Sequence, residues 1–331
     1  MGLKAYIAKR IVYTLIILYL VITINFFLFN LMPGNPLMQY IGSAKAKMSA
    51  ERWESLRRYY GLDKPLHERY ISYIVNMFTF DFGISTMERA PVVQVASGKL
   101  SLTLQLIGGS TIISIILGIL LGVVAAVKRG STTDTTLVTG SLITYSVPIF
   151  WLGWILLMFF SIQLRWFPTD GAWPKSWAGA GNWPTNPLVY LSGRLYHMAL
   201  PLITLVLFTV GGWILLARSC VLECITEDYV ITARAKGLNE RTVLLKHVLK
   251  NASLPLITSI AISFGFVITG AIITETVFNY EGMGAWIWHA ISNKDLPVMQ
   301  AIFYLVALCV LVANFLADLL YGVIDPRIRY G

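Results

Sequence analysis

The sequence of 331 residues is 56% hydrophobic and only 13% charged, with a net charge of +9. Soluble domains carry about 25% charged residues, so this composition excludes an ordinary soluble domain and predicts a chain surrounded mostly by lipid. The basic residues are scattered among loops between apolar runs, which argues against a nucleic-acid-binding surface. Three cysteines are too few for a disulfide framework.

Six apolar stretches are long enough to cross a bilayer, since about 20 residues of helix span the roughly 30 Å of hydrocarbon. No alternation typical of strands suggests a barrel, and the backbone of a lipid-embedded segment must satisfy its own hydrogen bonds. The sequence therefore predicts an all-α polytopic membrane protein with six transmembrane helices. The stretches are Ile11–Leu31, Leu100–Val127, Thr135–Leu164, Met198–Ala217, Leu254–Phe278 and Val298–Val323.

The distribution of lysine and arginine predicts the orientation, because short cytoplasmic loops carry the excess of positive charge. With a cytoplasmic N-terminus, the short outer loops hold only Arg165, Lys175, Arg194 and Lys294. The loop 32–99 is too long for the rule to count. Both termini are thus predicted to be cytoplasmic, in a multi-pass protein of the cell membrane.

These spans divide the chain into four predicted segments. Residues 1–31 form a cytoplasmic tail and the first transmembrane helix, and residues 32–99 form a partly helical extracytoplasmic loop. Residues 100–323 form a core of five helices that includes a basic cytoplasmic loop at 218–253. Residues 324–331 form a cytoplasmic tail.

Two outer loops carry recognisable patterns. In the first, Ser49 is placed to cap a helix to Tyr60, and Pro65 to begin a second helix through Met77. We interpret this loop as a small cap over the outer mouth, although the apolar residues of the second helix also suit a membrane interface. The second loop predicts interfacial anchoring by tryptophan, with stacking on a sugar or peptide ligand as the alternative. Its tryptophans are Trp166, Trp173, Trp177 and Trp183.

Glycine and proline within the spans predict close and interrupted packing. Gly118-x-x-x-Gly122 allows two helix backbones to approach. Pro148 removes a hydrogen bond and is expected to kink the third span. The pair Gly211-Gly212 is expected to weaken the fourth.

Few ionisable groups lie within the predicted spans. Glu275 lies near the outer end of the fifth span, and Asn314 and Asp318 lie near the inner end of the sixth. An ionisable group in the bilayer is unfavourable and must face protein or water. Together with Pro148, these residues are candidates for a pathway or gate, or for contacts between helices.

The sequence lacks the motifs of common enzymes. It contains no Gly-x-x-x-x-Gly-Lys-Ser/Thr P-loop for ATP, and neither His-Glu-x-x-His nor Gly-x-Ser-x-Gly. We therefore predict a non-catalytic chain without a cofactor or metal of its own.

The cytoplasmic loop carries a specific pattern. It reads Asp228-Tyr229-Val230, then Ala233–Leu238, Lys246-His247 and Asn251-Ala252-x-x-Pro255. This pattern resembles the permease subunits of ATP-binding-cassette (ABC) importers of the dipeptide and oligopeptide family. Elsewhere the similarity includes Asp81-Phe82-Gly83, His197-x-x-Leu200-Pro201, Glu275-Thr276-Val277-Phe278, Gly282-x-Gly284 and the end of the chain at Asp325–Tyr330.

The resemblance implies the type I ABC importer permease fold and a mechanism. In such importers the loop forms a coupling helix that sits in a groove of an ATPase subunit. One position departs from the family, whose members usually have a basic residue where this chain has Ile231. The residues implied for coupling are Asp228, Tyr229, Ala233, Arg234, Ala235, Lys236, Gly237, Leu238, Lys246 and His247.

The implied partners are a second homologous permease, two ATPase subunits that bind ATP and magnesium, an extracytoplasmic substrate-binding protein and membrane lipid. The implied cargo is a di- or oligopeptide, with oligosaccharides and metal chelates as alternatives within the family. A different class, the secondary transporter driven by an ion gradient, would be expected to show inverted repeats with matching broken helices. The breaks in this sequence do not pair in that way.

Overall fold

The computed structural model describes residues 3–30, 51, 54–55, 58, 63–179, 181–267 and 271–324. Within these ranges the protein is helical, and its β structure is one isolated bridge between Ile84 and Pro91. The first helices are α1 Leu3–Asn30, α2 Leu66–Thr79, α3 Val92–Thr103, α4 Gly109–Val127, α5 Thr132–Ser146, α6 Ile149–Leu156 and α7 Lys175–Gly179. The others are α8 Pro187–Ile225, α9 Asp228–Ala235, α10 Glu240–Thr242, α11 Leu249–Phe266, α12 Ile272–Val277, α13 Met283–Asn293 and α14 Leu296–Ile324.

In the described ranges, three short π-helical segments adjoin these helices. The π1 segment joins α3 to α4, π2 extends α6, and π3 joins α10 to α11. Their bounds are Leu104–Gly108, Leu157–Gln163 and Val243–Val248.

Four of the described helices are long and apolar enough to cross a membrane, and a fifth span is possible if the bent pair α5–α6 counts as one. This confirms a helical membrane protein. The fifth predicted stretch, Leu254–Phe278, contains most of α11 and all of α12, on either side of residues 268–270, which lie outside the described ranges. The count of six spans therefore stays a prediction. The four are Tyr6–Asn30 of α1, the continuous run Val92–Val127 formed by α3, π1 and α4, Pro187–Ile225 (α8), and Leu296–Leu316 of α14.

The third predicted span is broken rather than kinked. The helices α5 and α6 with π2 meet at 99°. Val147 is extended, with φ −76° and ψ 127°, because a residue before proline is disfavoured in the α conformation. Pro148 then begins the next helix.

Contacts divide the chain into two compact units. The first comprises residues 1–102, 268–272 and 282–331. Its apolar core includes Ile22 of α1, Met77 of α2, Trp286 of α13 and Tyr304 of α14. The buried Asn25 amide donates to the Gln300 carbonyl at 3.1 Å and so ties α1 to α14.

A hairpin at 83–92 in the same unit is held by a buried carboxylate. Asp295 is 1% exposed and accepts from the Ser85 hydroxyl at 2.6 Å and the Met87 amide at 3.1 Å. The hairpin closes on itself where the Val92 amide donates to the Gly83 carbonyl at 3.0 Å.

The second unit comprises residues 103–267 and 273–281, with α8 packed along α4 and against α5. A Cβ on Gly122 would lie only 2.6 Å from the Ile214 carbonyl oxygen, and one on Gly118 would collide with Trp213. This is the close approach that the glycine spacing predicted.

Candidate coupling site

The basic run at 226–255 folds as two short helices joined by a tight turn. Asp228 lies in the first turn of α9 and Arg234 in its last, where each charge complements the helix dipole. Gly237 has φ +76°, a left-handed conformation that glycine adopts without strain and that ends the helix. Asn239 then caps α10 by accepting from the Thr242 amide at 2.8 Å. The sequence Gly-Leu-Asn thus sets both the stop and the restart.

The α9 helix has one face buried within the chain and one face open. Val230 is 0% and Ala233 is 4% exposed, and both pack in a core with Val221, Val243 and Val248. The open side includes Asp228, Tyr229, Ile231, Arg234, Ala235, Lys236, Gly237 and Leu238. Of the predicted coupling residues, Ala233 therefore lies behind the exposed surface, and His247 is half-buried in π3.

The open surface is basic and shaped by one internal ion pair. The Arg234 guanidinium donates to both carboxylate oxygens of Glu240, at 3.0 and 3.3 Å, across the turn. Both side chains are exposed, so the pair adds little stability and mainly fixes the shape of the turn. Within the described residues, Lys236, Arg241 and Lys246 form no ion pair. Their charge remains available to an acidic partner.

Tyr229 lies at the edge of this surface. Partial burial raises the pKa of its hydroxyl, which lies beside Asn251 and Cys224. The hydroxyl stays protonated at neutral pH and links the start of α9 to α11 and to the end of α8.

A partly buried ion pair connects α8 to the start of α5. Arg218 donates to the two oxygens of Asp134 at 2.7 and 2.9 Å, and Asp134 also accepts from the Gly130 amide at 2.9 Å. Bidentate arginine–carboxylate pairs are geometrically specific. Sequence reasoning counted Arg218 only as a cytoplasmic charge, and no local spacing reveals a partner 84 residues away.

The second unit also buries polar groups near α12. Glu275 is 0% exposed and accepts from the Thr103 hydroxyl at 3.0 Å. Arg194 is 6% exposed and donates to the Gln105 side chain at 2.8 Å and the Ala172 carbonyl at 3.2 Å. Sequence reasoning identified Glu275 but took Arg194 for an ordinary loop charge.

Of the other pathway candidates, Pro148 lies at the α5–α6 break and Asn314 is exposed on α14. Asp318 lies in α14, but its side chain is outside the described residues. The possible pathway or gate role of these residues stays a prediction.

The tryptophan loop packs largely on itself and on α8. The Trp173 and Trp183 rings lie 5.4 Å apart, and Trp177 stacks on Tyr190 at 5.8 Å. The loop is also pinned by Lys175, whose hydrogen bond at 2.8 Å lowers the pKa of Asp170. Trp166 is 60% exposed and remains available for anchoring.

The sequence of nearly the whole chain matches known proteins. Residues 118–330 match the family described as binding-protein-dependent transport system inner membrane component. The chain belongs to this family. Residues 3–107 of the permease match the corresponding N-terminal membrane component.

Curated relatives cover the permease almost end to end. The probable peptide ABC transporter permease protein y4tP of Sinorhizobium fredii is 37% identical over 98% of this chain and 99% of its own length. The dipeptide transport system permease protein DppB of Escherichia coli K12 is 37% identical over 93% of each chain. The glutathione transport system permease protein GsiC of the same strain is 34% identical over 98% and 99%.

A solved structure supports the fold. A chain of the inward-facing MetNI methionine ABC transporter matches the permease with a TM-score of 0.55 at 15% sequence identity, covering 70% of this chain and 97% of that one. The resemblance noted from the sequence is therefore confirmed: the protein is an ABC transporter permease with the fold of a type I importer.

Proposed function

We propose that this permease forms half of the translocation path of an ATP-driven importer of di- and oligopeptides. The observation that carries the proposal is the α9 surface, which is anchored from behind by Val230 and Ala233 and open and basic in front. The names of the curated relatives specify peptide, dipeptide and glutathione transport. All three describe peptidic cargo.

The proposed assembly contains a second homologous permease, two ATPase subunits and an extracytoplasmic substrate-binding protein. ATP and magnesium bind to the ATPases, and this chain catalyses no reaction. The permease crosses the membrane six times with both termini in the cytoplasm. The partly helical loop 32–99 lies on the outer side, and the core of residues 100–323 presents the coupling loop 218–253 to the ATPase.

The coupling step follows from how α9 is attached. Only Thr226 and Glu227 separate it from α8, so a push on α9 reaches α8 almost directly. Its buried face also presses on π3 through Val243 and Val248. Because packed interfaces shift between discrete arrangements rather than deform continuously, closure of the ATPases would move α8, α9 and π3 together.

Two contacts transmit the motion of α8 to neighbouring helices. The Arg218–Asp134 pair connects α8 to α5, and the close approach at Gly122 connects α8 to α4. Ala233 is buried and supports α9 from behind the docking surface. The exposed coupling residues contact the partner. Ile231, which is 56% exposed, places an apolar side chain in that contact, where the family resemblance implies a basic residue.

Transport in vesicles tests the energy source. The permease and its partners are reconstituted in liposomes with ATP, labelled peptide and an ionophore that abolishes ion gradients. We expect uptake to persist with ATP and to stop without it. Uptake that the ionophore alone abolishes would indicate a secondary transporter and contradict the proposal.

A separate measurement identifies the cargo. The cognate binding protein is screened by thermal shift against short peptides, oligosaccharides and metal chelates. We expect stabilisation by peptides. Stabilisation by a sugar or chelate alone would keep the ATP-driven mechanism and overturn the peptide assignment.

A further inference from the structure

The helix α2, Leu66–Thr79, has three distinct faces. Tyr70, Tyr73 and Met77 face the chain and contact α1 or the apolar core of the first unit. Ile71, Val75 and Phe78 are 59%, 52% and 47% exposed and follow one another at the spacing of a single helix face. The remaining, polar face is formed by exposed Glu68, Ser72 and Asn76.

The contacts of α2 with α1 lie before the end of the first span, within its apolar part. The Tyr70 hydroxyl bonds to the Thr23 hydroxyl at 2.7 Å and to the Tyr19 hydroxyl at 3.0 Å. At 1.5 Å per residue, Thr23 lies about 10 Å below Asn30, where α1 ends. The neighbouring Arg69 donates to Asn30 itself. The side chains at this end of α2 therefore reach from the boundary of the span, at Asn30, to its apolar part, at Thr23.

The other end of α2 reaches a similar depth on α14. Met77 packs in the same core as Tyr304, and the Phe80 ring that follows the helix lies 6.1 Å from the Tyr304 ring. Tyr304 lies eight residues into α14, or about 12 Å along that helix. Both ends of α2 are thus held at the level of the hydrocarbon.

The exposed stripe continues the lipid-facing surface of α1. Ile24 and Leu28 are 63% and 50% exposed on a helix long and apolar enough to span the membrane. Phe27 lies on that side of α1 and stacks on Tyr70 at 6.1 Å. The exposed side of α1 therefore meets α2 at Tyr70, the residue before Ile71.

We infer that α2 is embedded in the membrane interface, with Ile71, Val75 and Phe78 in lipid and Ser72 and Asn76 in water. Helices with one apolar and one polar face bury the apolar face about 5–10 Å into the boundary between headgroups and acyl chains, which matches the depth set by Tyr70. Assignment to the outer leaflet rests on the proposed orientation, whereas the depth does not. The helix then braces α1 against α14 rather than covering the outer mouth.

Spin labels measure this depth in the complete transporter. Ile71→Cys, Val75→Cys and Phe78→Cys are each labelled with a nitroxide, with Ser72→Cys and Asn76→Cys as controls from the same helix. Cys220, Cys224 and Cys309 are first replaced by alanine. Collision with oxygen, which concentrates in lipid, and with a water-soluble nickel complex is measured in vesicles of phosphatidylethanolamine and phosphatidylglycerol.

We expect the three stripe positions to favour oxygen, at depths of about 5–10 Å, and both controls to favour nickel. Stripe labels as accessible to nickel as the controls would put the helix in water and overturn the inference. If the stripe labels are shielded from both reagents, or become shielded only when binding protein is added, a protein and not lipid covers the stripe. Either result would also overturn the inference. ATP-driven uptake is recorded in the same vesicles, so lost uptake with an unchanged depth profile would contradict the proposed function alone.

Discussion

Two adjacent glycines of α8 have different surroundings. A Cβ on Gly211 would lie 2.6 Å from the Ser141 carbonyl oxygen and 2.7 Å from the Thr144 hydroxyl of α5, whereas one on Gly212 would meet no described atom within 4 Å beyond its chain neighbours and the backbone of its own helix. The sequence predicted that the pair weakens its helix; α8 continues through both glycines from Pro187 to Ile225, and the weakening stays a prediction. Gly211 also permits close contact with α5.

We therefore expect Gly211→Ala to lower the free energy of unfolding by about 1–3 kcal/mol, because overpacking forces backbones or side chains apart. Gly212→Ala is the matched control and should be neutral or slightly stabilising, since alanine is the better helix former. Thermal denaturation of the purified complex measures both. Equal midpoints for the two variants would contradict the packing argument.

At the scale of elements, α12 carries the most deeply buried acid described in the second unit. Glu275 accepts from Thr103, and its own carbonyl accepts from the Tyr280 amide at 2.7 Å. The neighbouring Thr274 hydroxyl is buried and has no hydrogen-bond partner among the described residues. The Glu275 carboxylate therefore has a hydrogen-bond partner, whereas the Thr274 hydroxyl has none among the described residues.

Glu275→Gln keeps an acceptor for Thr103 and removes the charge. We expect it to assemble normally but to change peptide uptake or basal ATPase activity, while Thr274→Val should change neither and should not destabilise the protein, because it removes a polar atom without a partner. Uptake and ATP hydrolysis are measured in reconstituted vesicles. If Glu275→Gln matches the wild type in both activities, Glu275 has a structural role only.

One helix is much longer than the span predicted for it from the sequence. The predicted span Met198–Ala217 covers only the apolar middle of α8, which begins where Asn186 accepts from the Leu188 amide at 2.9 Å and Pro187 takes the first helical position. Hydropathy measures the part of a helix that lies in lipid, not its full length. A cap, and not the end of the apolar run, sets the start.

Across the whole molecule, local signals were predictable and long-range ones were not. Run length located α1 and α14, and Pro148 located the α5–α6 break. By contrast, the Arg218–Asp134 pair and the buried position of Arg194 depend on segments far apart in the chain. A single sequence records the charges of such residues but not which of them meet.

The central claim for the whole molecule is that ATP-driven motion enters through the turn at Gly237. Among the described residues, no atom outside its two chain neighbours lies within 4 Å of a Cβ built there, so a larger side chain has space until a partner docks, although any residue other than glycine is strained at φ +76°. Gly237→Asn is the matched control, because asparagine tolerates the left-handed conformation better than other residues and projects little.

Uptake per ATP hydrolysed by the reconstituted complex tests this claim most directly. For Gly237→Trp we expect insertion into the membrane with uptake reduced at least about tenfold per ATP, equivalent to about 1.4 kcal/mol between the activation free energies of productive and unproductive hydrolysis, or loss of the ATPase from the complex. Gly237→Asn should retain most of the coupling. A Gly237→Trp complex that assembles fully and transports peptide with wild-type efficiency would contradict the account.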